Sequence, residues 1–424
     1  MKRAIVVFSI LLFIAGCKSG DRVLIGGDSG TQSSAAELAV AAVAPSDVAV
    51  DVPLGSAIQV TFSTAVSAGQ IGLSLRRGGV SVAGTVTVSG HTAVFTPNTP
   101  LQPNATYVAT VTGAESGIYS WSFTTGSLRV LESAAGSAGR VQVAANADGC
   151  MAAAWEQDDA NGNSSIYANV YTPGGGWGQA ELIEASTYQA RRPQLVVDPW
   201  GNVTVIWEQF DGTVNSIYAN RYVVGQGWGA RILLDTLAYN AALPQLAVDG
   251  SGNVVAVWEQ MASATLSNIY ACRYVFGVGW GTVSNIENLA GAAHKPRVAM
   301  DPNGNAVAVW SQSDGTFDSI YYNRMAAGTA WAAAGTLLES ATGRAAEPRV
   351  VMDDCGTATV VWKQNDGSYE SIYYSRCLLG GSWSAAALLE NVAAAADEPQ
   401  LTVSADGKLV AGWVQADGSC RRYL

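Results

Sequence analysis

Between residues 127 and 424, short runs of alternating apolar and polar residues are separated by turns rich in Gly, Asp and Asn. Period-two alternation puts successive side chains on opposite faces of an extended chain, so each run predicts a half-buried β-strand. The runs return at a fixed interval. One Trp recurs at 155, 207, 258, 310, 362 and 413, with spacings of 52, 51, 52, 52 and 51. A second recurs at 177, 228, 280, 331 and 383. One repeat reads "PQLVVDPWGNVTVIWEQFDGTVNSIYANRYVVGQGWGARILLD" from 193 to 235. It predicts four strands: "PQLVV", then "NVTVIWEQ" after the turn "DPWG", then "SIYANRYV" after "FDGTVN", then "ARILLD" after "GQGW".

Four short antiparallel strands per repeat predict a blade of a β-propeller. First strands begin at Arg140, Pro193, Pro244, Pro296, Pro348 and Pro399, so six blades are expected. The sixth repeat ends at Leu424 without a fourth strand. The fourth strands of the other five end on an acid: Glu184, Asp235, Glu287, Glu339 and Glu390. Glu132, inside "GSLRVLES" at 126 to 133, lies 52 residues before Glu184 and is in phase. Residues 127 to 133 are therefore expected to supply the missing strand and close the ring, removing an otherwise unpaired sheet edge.

The N-terminal 126 residues read differently. Lys2 and Arg3 precede an apolar run from Ala4 to Gly16, too short for the roughly 20 residues that a bilayer-spanning helix needs. The run ends in Ile14-Ala15-Gly16-Cys17, which resembles a bacterial lipobox. That resemblance implies a signal peptide over 1–16, acylation of Cys17 and a membrane as partner. Lys18 follows where an Asp favours inner-membrane retention, so the cell envelope, outer membrane if the source has one, is the expected location. Residues 17 to 40 lack periodicity and predict a flexible tether.

Residues 41 to 126 alternate in five runs, including "AIQVTFST", "TAVFTP" and "TYVATVTG". On "VPLGSAIQVTFSTAV" (52 to 66), "FTPNTPLQPNATYVATVTG" (95 to 113) and "WSFTTG" (121 to 126), this segment resembles the bacterial Ig-like domain of S-layer-type (SbsA-type) surface proteins. The resemblance implies a β-sandwich used as a spacer or adhesion module, with no catalytic residues. The whole chain is expected to be all-β: an Ig-like sandwich at 41–126 and a propeller at 127–424.

Composition narrows the function classes. Charged residues make up 13% of the chain, about half of the usual share. Loss of residues 1–16 removes two of the 23 basic residues and no acid, so 21 basic residues face 34 acidic ones, a net charge of −13. That balance argues against nucleic acid as a partner. No Ser-His-Asp set, zinc spacing or phosphate loop stands in the sequence, and no cofactor, metal or catalytic residue is assigned. The turns "DPWGN", "DGSGN" and "DPNGN" resemble calcium loops but lack a bidentate Glu at ligand spacing. The "GGGW"-type turns stand where sialidase-type propellers carry an Asp-box, without its Ser and Asp. The six Trp-x-Gln motifs read as packing, with sugar stacking as the alternative. Arg221, Arg273, Arg324, Arg376 and Arg422 on third strands read as inter-strand or inter-blade pairs.

Repeats agree in their strands and differ in the loops before first strands, where a ligand site is expected. The residue there reads Gly139, Arg192, Leu243, Lys295, Glu347 and Glu398, with Tyr188, Tyr239 and His294 nearby. Basic and acidic residues would occupy opposite arcs of a rim. The binding candidates are Tyr188, Arg192, Tyr239, His294, Lys295, Glu347 and Glu398. Cys355 and Cys377 flank one hairpin symmetrically and are expected to form a disulfide after export; Cys150, Cys272 and Cys420 have no evident partner. A lipid-anchored, non-catalytic recognition head for a glycan or protein is the expected function. The alternatives are a propeller enzyme acting on glycans and a structural envelope scaffold.

Overall fold

The computed structural model describes residues 38–424, apart from 115–116, 127–130, 132–135, 160–161, 174, 236, 340–342, 366, 379, 391–393, 405–406, 417–420 and 424. The lipobox with Cys17, Cys420 and the expected closing strand, apart from Leu131, lie outside the described residues. Every regular element described is a strand, and the chain divides into two compact units between residues 130 and 131.

The first unit is a sandwich of two sheets. One runs in the order Val40–Ala44, Ile58–Phe62, Thr92–Pro97, Gly84–Ser89. The other runs Ala49–Val52, Gly117–Thr125, Thr106–Ala114, Gly72–Arg77, Val80–Ser81. Alternation explains the layers: in "IQVTF" (58–62) Ile58, Val60 and Phe62 face inward while Gln59 is exposed. They meet Leu75, Val111, Trp121 and Phe123 in one core, and Tyr107 stacks on Phe123 at 5.6 Å. Gly113 (φ +91°) passes so close to the Gln70 carbonyl that a Cβ would sit 2.0 Å from its oxygen, so only Gly fits there. His91 is structural: its Nδ1 lies 3.3 Å from the Phe62 carbonyl oxygen.

The second unit is a series of six sheets, each led by an antiparallel pair: Ala138–Ala145 with Met151–Asp158, Ala190–Val197 with Val203–Phe210, Ala241–Val248 with Val254–Met261, Ala293–Met300 with Ala306–Ser313, Ala345–Met352 with Ala358–Asn365, and Ala396–Val403 with Leu409–Ala416. The third strand is Asn215–Val223 in the second sheet and Arg421–Tyr423 in the sixth. The expected fourth strand is broken. In the second sheet its place is taken by Gly227–Trp228 and Ile232–Leu233, each pairing with the third strand. The second strands of the middle sheets are buried on both faces ("VTVIW" of the second sheet, all buried) because sheets on either side cover them, whereas Leu409–Ala416 of the sixth is partly exposed, with Val410 open to solvent.

The Trp-x-Gln motif forms the seam between sheets. Trp155, Trp207, Trp258, Trp310 and Trp362 are at most 2% exposed. In all six copies the indole N–H donates to the Oε1 of the Gln two residues on, at 2.7 to 3.2 Å. That fixes the amide orientation and turns Nε2 toward an acceptor. The acceptor is the acid ending the preceding sheet: Glu184 for Gln209 (2.8 Å), Asp235 for Gln260 (3.1 Å), Glu287 for Gln312 (2.6 Å) and Glu339 for Gln364 (3.0 Å). The acid repeated in the sequence is therefore a seam residue, held out of water and hydrogen-bonded.

The turns between first and second strands are closed by their own side chains. Asp198 Oδ1 accepts from the N–H groups of Trp200 (3.0 Å) and Asn202 (2.8 Å), and Oδ2 accepts from Asn202 Nδ2 (2.8 Å). Asp249 and Asp301 repeat the pattern. The third-strand arginines are tied down locally: Arg221 donates to Thr204 Oγ1 at 2.6 Å and to Asp198, and lies over the Tyr274 ring of the next sheet at 4.6 Å.

The expected disulfide is corrected. Cys355 and Cys377 are both free, the first exposed and the second buried. The hairpin pairs Asn365 with Glu370, and that register places Cys377 opposite Ala358, with Cys355 left in the preceding turn. The equal spacing of the two cysteines about residue 366 does not match the centre of the hairpin, which lies between Asn365 and Glu370. Cys377 Sγ instead lies 2.8 Å from Arg324 Nη2, which donates to it, and near the carbonyls of Leu378 and Gly381.

Candidate functional site

Each first strand carries the same irregularity near its start. Arg140, Arg192, Leu243, Lys295, Glu347 and Glu398 all have positive φ, between 48° and 58°. Each sits in a break of the register with its second strand, such as that between Arg191 and Gln194. A non-Gly residue in this left-handed region is strained by about 1–2 kcal/mol, so something must hold it. In the first three sheets the holder is the Glu of Trp-Glu-Gln, reaching across to the next sheet. Glu156 accepts from the Arg192 N–H (2.7 Å), Glu208 from the Leu243 N–H (2.7 Å) and Glu259 from the Lys295 N–H (3.3 Å). The first repeat enters this pattern at Arg140, so the frame that aligned Gly139 with Arg192 is corrected by one residue.

Around these bulges the charged side chains pair. Arg192 Nη1 donates to both oxygens of Glu208, at 3.0 and 3.1 Å. Arg140 meets Glu156 at 3.3 Å. His294 Nδ1 lies 2.9 Å from Glu259, a hydrogen bond that raises the imidazole above its usual range. Lys295 meets Glu347 at 3.4 Å and Lys363 meets Asp397 at 2.8 Å. Where the basic stretch ends, it is in direct contact with the acidic one, through Lys295 and Glu347. Glu398 has the same left-handed conformation, its N–H donating to Asp397 Oδ1 at 3.0 Å.

A cavity of about 520 Å³ opens between the first two sheets, lined by Arg140, Tyr188, Arg191, Arg192, Phe210 and Asn215 among others. The Tyr188 ring meets Phe210 edge-on at 5.7 Å. Of the seven expected candidates, Tyr188 and Arg192 line this cavity. Tyr239, His294, Lys295, Glu347 and Glu398 do not; they lie on later sheets at the corresponding loop and bulge positions. Sequence reading missed Arg140, Arg191, Phe210 and Asn215. The available signal was position: Phe210 directly follows the seam Gln209, where the second strand leaves the core.

The cavity's acids are already occupied. Glu208, the one carboxylate lining it among the described residues, accepts two bonds from Arg192 and one from Leu243. Among the described residues, no cluster of three His, Cys, Asp or Glu has a metal-binding arrangement. What the cavity offers a ligand is the unpaired Arg191 guanidinium, the outer N–H groups of Arg140 and Arg192, carboxamides, and an exposed phenol beside an aromatic edge.

Comparison with known proteins places part of the chain. Residues 34–125 match the bacterial Ig-like domain family. No curated protein matches the chain. Among solved structures it is similar to an ulvan lyase of a polysaccharide lyase family, at 10% identity and a TM-score of 0.46, covering 90% of this chain and 92% of that one. It is similar to the polysaccharide lyase Uly1 at 9% identity and a TM-score of 0.43, covering 93% and 92%. The endo-arabinase of Bacteroides thetaiotaomicron matches at 12% identity and a TM-score of 0.33, over 57% of this chain and 95% of that one. These neighbours are named as polysaccharide lyases and an endo-arabinase, and the expectation of a non-catalytic recognition head is corrected to the extent that it is not carried further.

Proposed function

We propose that the repeat unit is an enzyme acting on acidic glycans, with the Arg140–Tyr188–Arg192 cavity as its substrate site. The observation that carries this reading is the chemistry that lines the cavity: the Arg191 guanidinium, which forms no ion pair among the described residues, an exposed phenol, and the outer N–H groups of Arg140 and Arg192, whose pairing with Glu156 and Glu208 leaves no free carboxylate there. Hydrolysis by paired carboxylates needs two free acids flanking the scissile bond. Elimination does not. Guanidinium groups neutralise a uronate carboxylate and acidify the proton on the adjacent carbon. Tyr188 takes that proton on its phenol oxygen, the C–O bond to the next sugar breaks to leave a carbon–carbon double bond, and the proton passes from Tyr188 to the departing sugar oxygen, with no water consumed.

The test is to incubate the intact protein with uronate-containing and neutral polysaccharides. New reducing ends and new ultraviolet absorbance from the unsaturated uronate should rise together on the acidic substrates alone. Tyr188→Phe should lower kcat by about 100-fold or more at unchanged fold. Reducing ends without the absorbance would refute elimination, and inactivity on all of them would refute the enzyme reading.

The six sheets support a six-bladed β-propeller closed by residues 127–133. One cavity is lined by equivalent residues of all six first strands: Gln142, Gln194, Gln245, Arg297, Arg349 and Gln400. The buried Gln157 Nε2 has no partner among the described residues, whereas Gln209, Gln260, Gln312 and Gln364 each meet an acid 25 residues earlier; Glu132 lies 25 residues before Gln157. Leu131 is buried, in phase with the buried Ile183, Leu234 and Ile286. The Ig-like unit serves as the stalk, and acylation at Cys17 would tether the protein to the cell envelope, several acyl chains making the anchor stable.

A further inference from the structure

The cavity lined by the six first strands has about 420 Å³ of space. One position in each strand faces it. In four sheets that position is glutamine: Gln142, Gln194, Gln245 and Gln400. In the two consecutive sheets between Gln245 and Gln400 it is Arg297 and Arg349. Each arginine is partly withdrawn from water and donates to the carbonyl of the proline before it, Arg297 to Pro296 at 3.1 Å and Arg349 to Pro348 at 3.2 Å. Arg349 also reaches toward Gln400 Oε1 at 3.5 Å. Among the described residues neither guanidinium forms an ion pair, and no carboxylate lines the cavity. Glu347, the acid whose charge reaches both, is engaged by Lys295 at 3.4 Å.

Two like charges on neighbouring strands in a confined polar space repel each other, and burial adds to the penalty. The consequence is visible on Arg297: burial first, and Arg349 second, push its guanidinium down to about 10. Ring repetition makes this arrangement informative. A glutamine at these positions satisfies the fold in four sheets, so two adjacent arginines are not required by packing. They are donors in excess of acceptors, beside carboxamides that also carry donors.

We propose that this cavity binds an oxyanion, a carboxylate, sulfate or phosphate group, held between Arg297 and Arg349 and by the carboxamides of the ring. Planar guanidinium forks match the paired oxygens of such a group. The site is separate from the Arg140–Tyr188–Arg192 cavity and does not depend on its catalytic reading. The oxyanion has two sources, a free inorganic ion or the acidic group of a sugar.

Thermal melting of the full-length protein tests this, with sodium sulfate, inorganic phosphate and glucuronate each titrated against sodium chloride at matched ionic strength. The wild type should show a saturable rise in Tm with at least one oxyanion and none with chloride. Arg297→Gln combined with Arg349→Gln reproduces the residue already present in four sheets. It should weaken the apparent affinity by at least about 10-fold, and should melt no lower than the wild type without anion. Arg349→Gln alone should give an intermediate loss, which keeps the test intact if the double variant misfolds. A response to sulfate and phosphate alone assigns the site to free ions; a response to glucuronate assigns it to sugar acids. An equal response of wild type and double variant, or no saturable response in the wild type, would overturn the proposal.

Discussion

The first three sheets of the repeat unit and the last three share one seam and differ at the rim. In both halves Trp binds Gln, and in both halves Gln meets the preceding acid, as Gln209 meets Glu184 and Gln364 meets Glu339. One residue away the halves diverge. Glu156, Glu208 and Glu259 stand between Trp and Gln in the first half; Ser311, Lys363 and Val414 stand there in the second. The glutamates cap left-handed residues of the next sheet, and the large rim cavity lies beside Glu208. The cavity lined by the six first strands is uneven too, with arginine in only the fourth and fifth sheets. Positions facing neighbouring sheets obey the repeat because every seam solves the same packing problem. Positions facing open space are released from it, and the chemistry is found there.

The largest test of the shared seam concerns the first sheet. If the seam is uniform, residues 127–133 complete it, and Glu132→Leu should damage the protein as Glu287→Leu does. Each takes the acid acceptor from a buried carboxamide, at about 1–3 kcal/mol, though Gln312 keeps its bond to the Gly291 carbonyl. Deleting 127–133 adds an unpaired sheet edge and should lower the unfolding midpoint by roughly 10 °C. Calorimetry reads both. A Glu132→Leu protein that melts like the wild type while Glu287→Leu does not would show that the first sheet is an exception.

The seam should also respond to pH. Burial pushes the Asp235 carboxyl up to about 6, against the hydrogen bonds from Ile217, Gln260 and Ser216 that favour its ionised form. A folded pKa above the unfolded value means that the folded protein holds the proton more tightly. Stability from this group is therefore fully present below about pH 4 and falls as pH rises through about 6, by about 3 kcal/mol in total. Glu184 is raised by burial in the same sense. Asp235→Asn keeps one acceptor and loses the titration: its Tm should start lower at pH 5 and fall less between pH 5 and pH 8. Parallel Tm profiles for variant and wild type would remove Asp235 from the pH response.

Much of this architecture was legible in the chain. Alternation in "NVTVIWEQ" and the fixed Trp spacing give the second strands. The Gly of each first turn marks a real left-handed position, as at Gly201 (φ 84°) and Gly304 (φ 92°). The bulges were not legible. Arg192, Leu243 and Lys295 share a strained backbone but no residue type, because the constraint comes from another sheet rather than from local preference. Register was equally hidden: Cys355 and Cys377 look symmetric in sequence, yet the loop between Asn365 and Glu370 shifts the pairing. At the site, Tyr188 and Arg192 were found because they vary among repeats. Arg140 was missed because its frame was set by a missing proline.

The smallest test isolates the rim itself, at one position in two sheets. Glu208 is nearly out of water, accepts the Leu243 N–H and takes both bonds from Arg192. Glu208→Ala removes the cap from a strained residue and should destabilise by about 2 kcal/mol, less than the sum of its bonds because the Arg192 side chain is partly exposed. Ser311 occupies the same position in the fourth sheet, buried, and its Oγ has no partner among the described residues. Removing a buried hydroxyl that bonds nothing takes away a desolvation penalty and loses little packing. Ser311→Ala should therefore leave stability unchanged or raise it by up to about 1 kcal/mol. Urea unfolding of the two variants gives the difference directly. Equal losses would mean that the rim glutamates do no more than fill space, and the contrast between the halves would lie in charge alone.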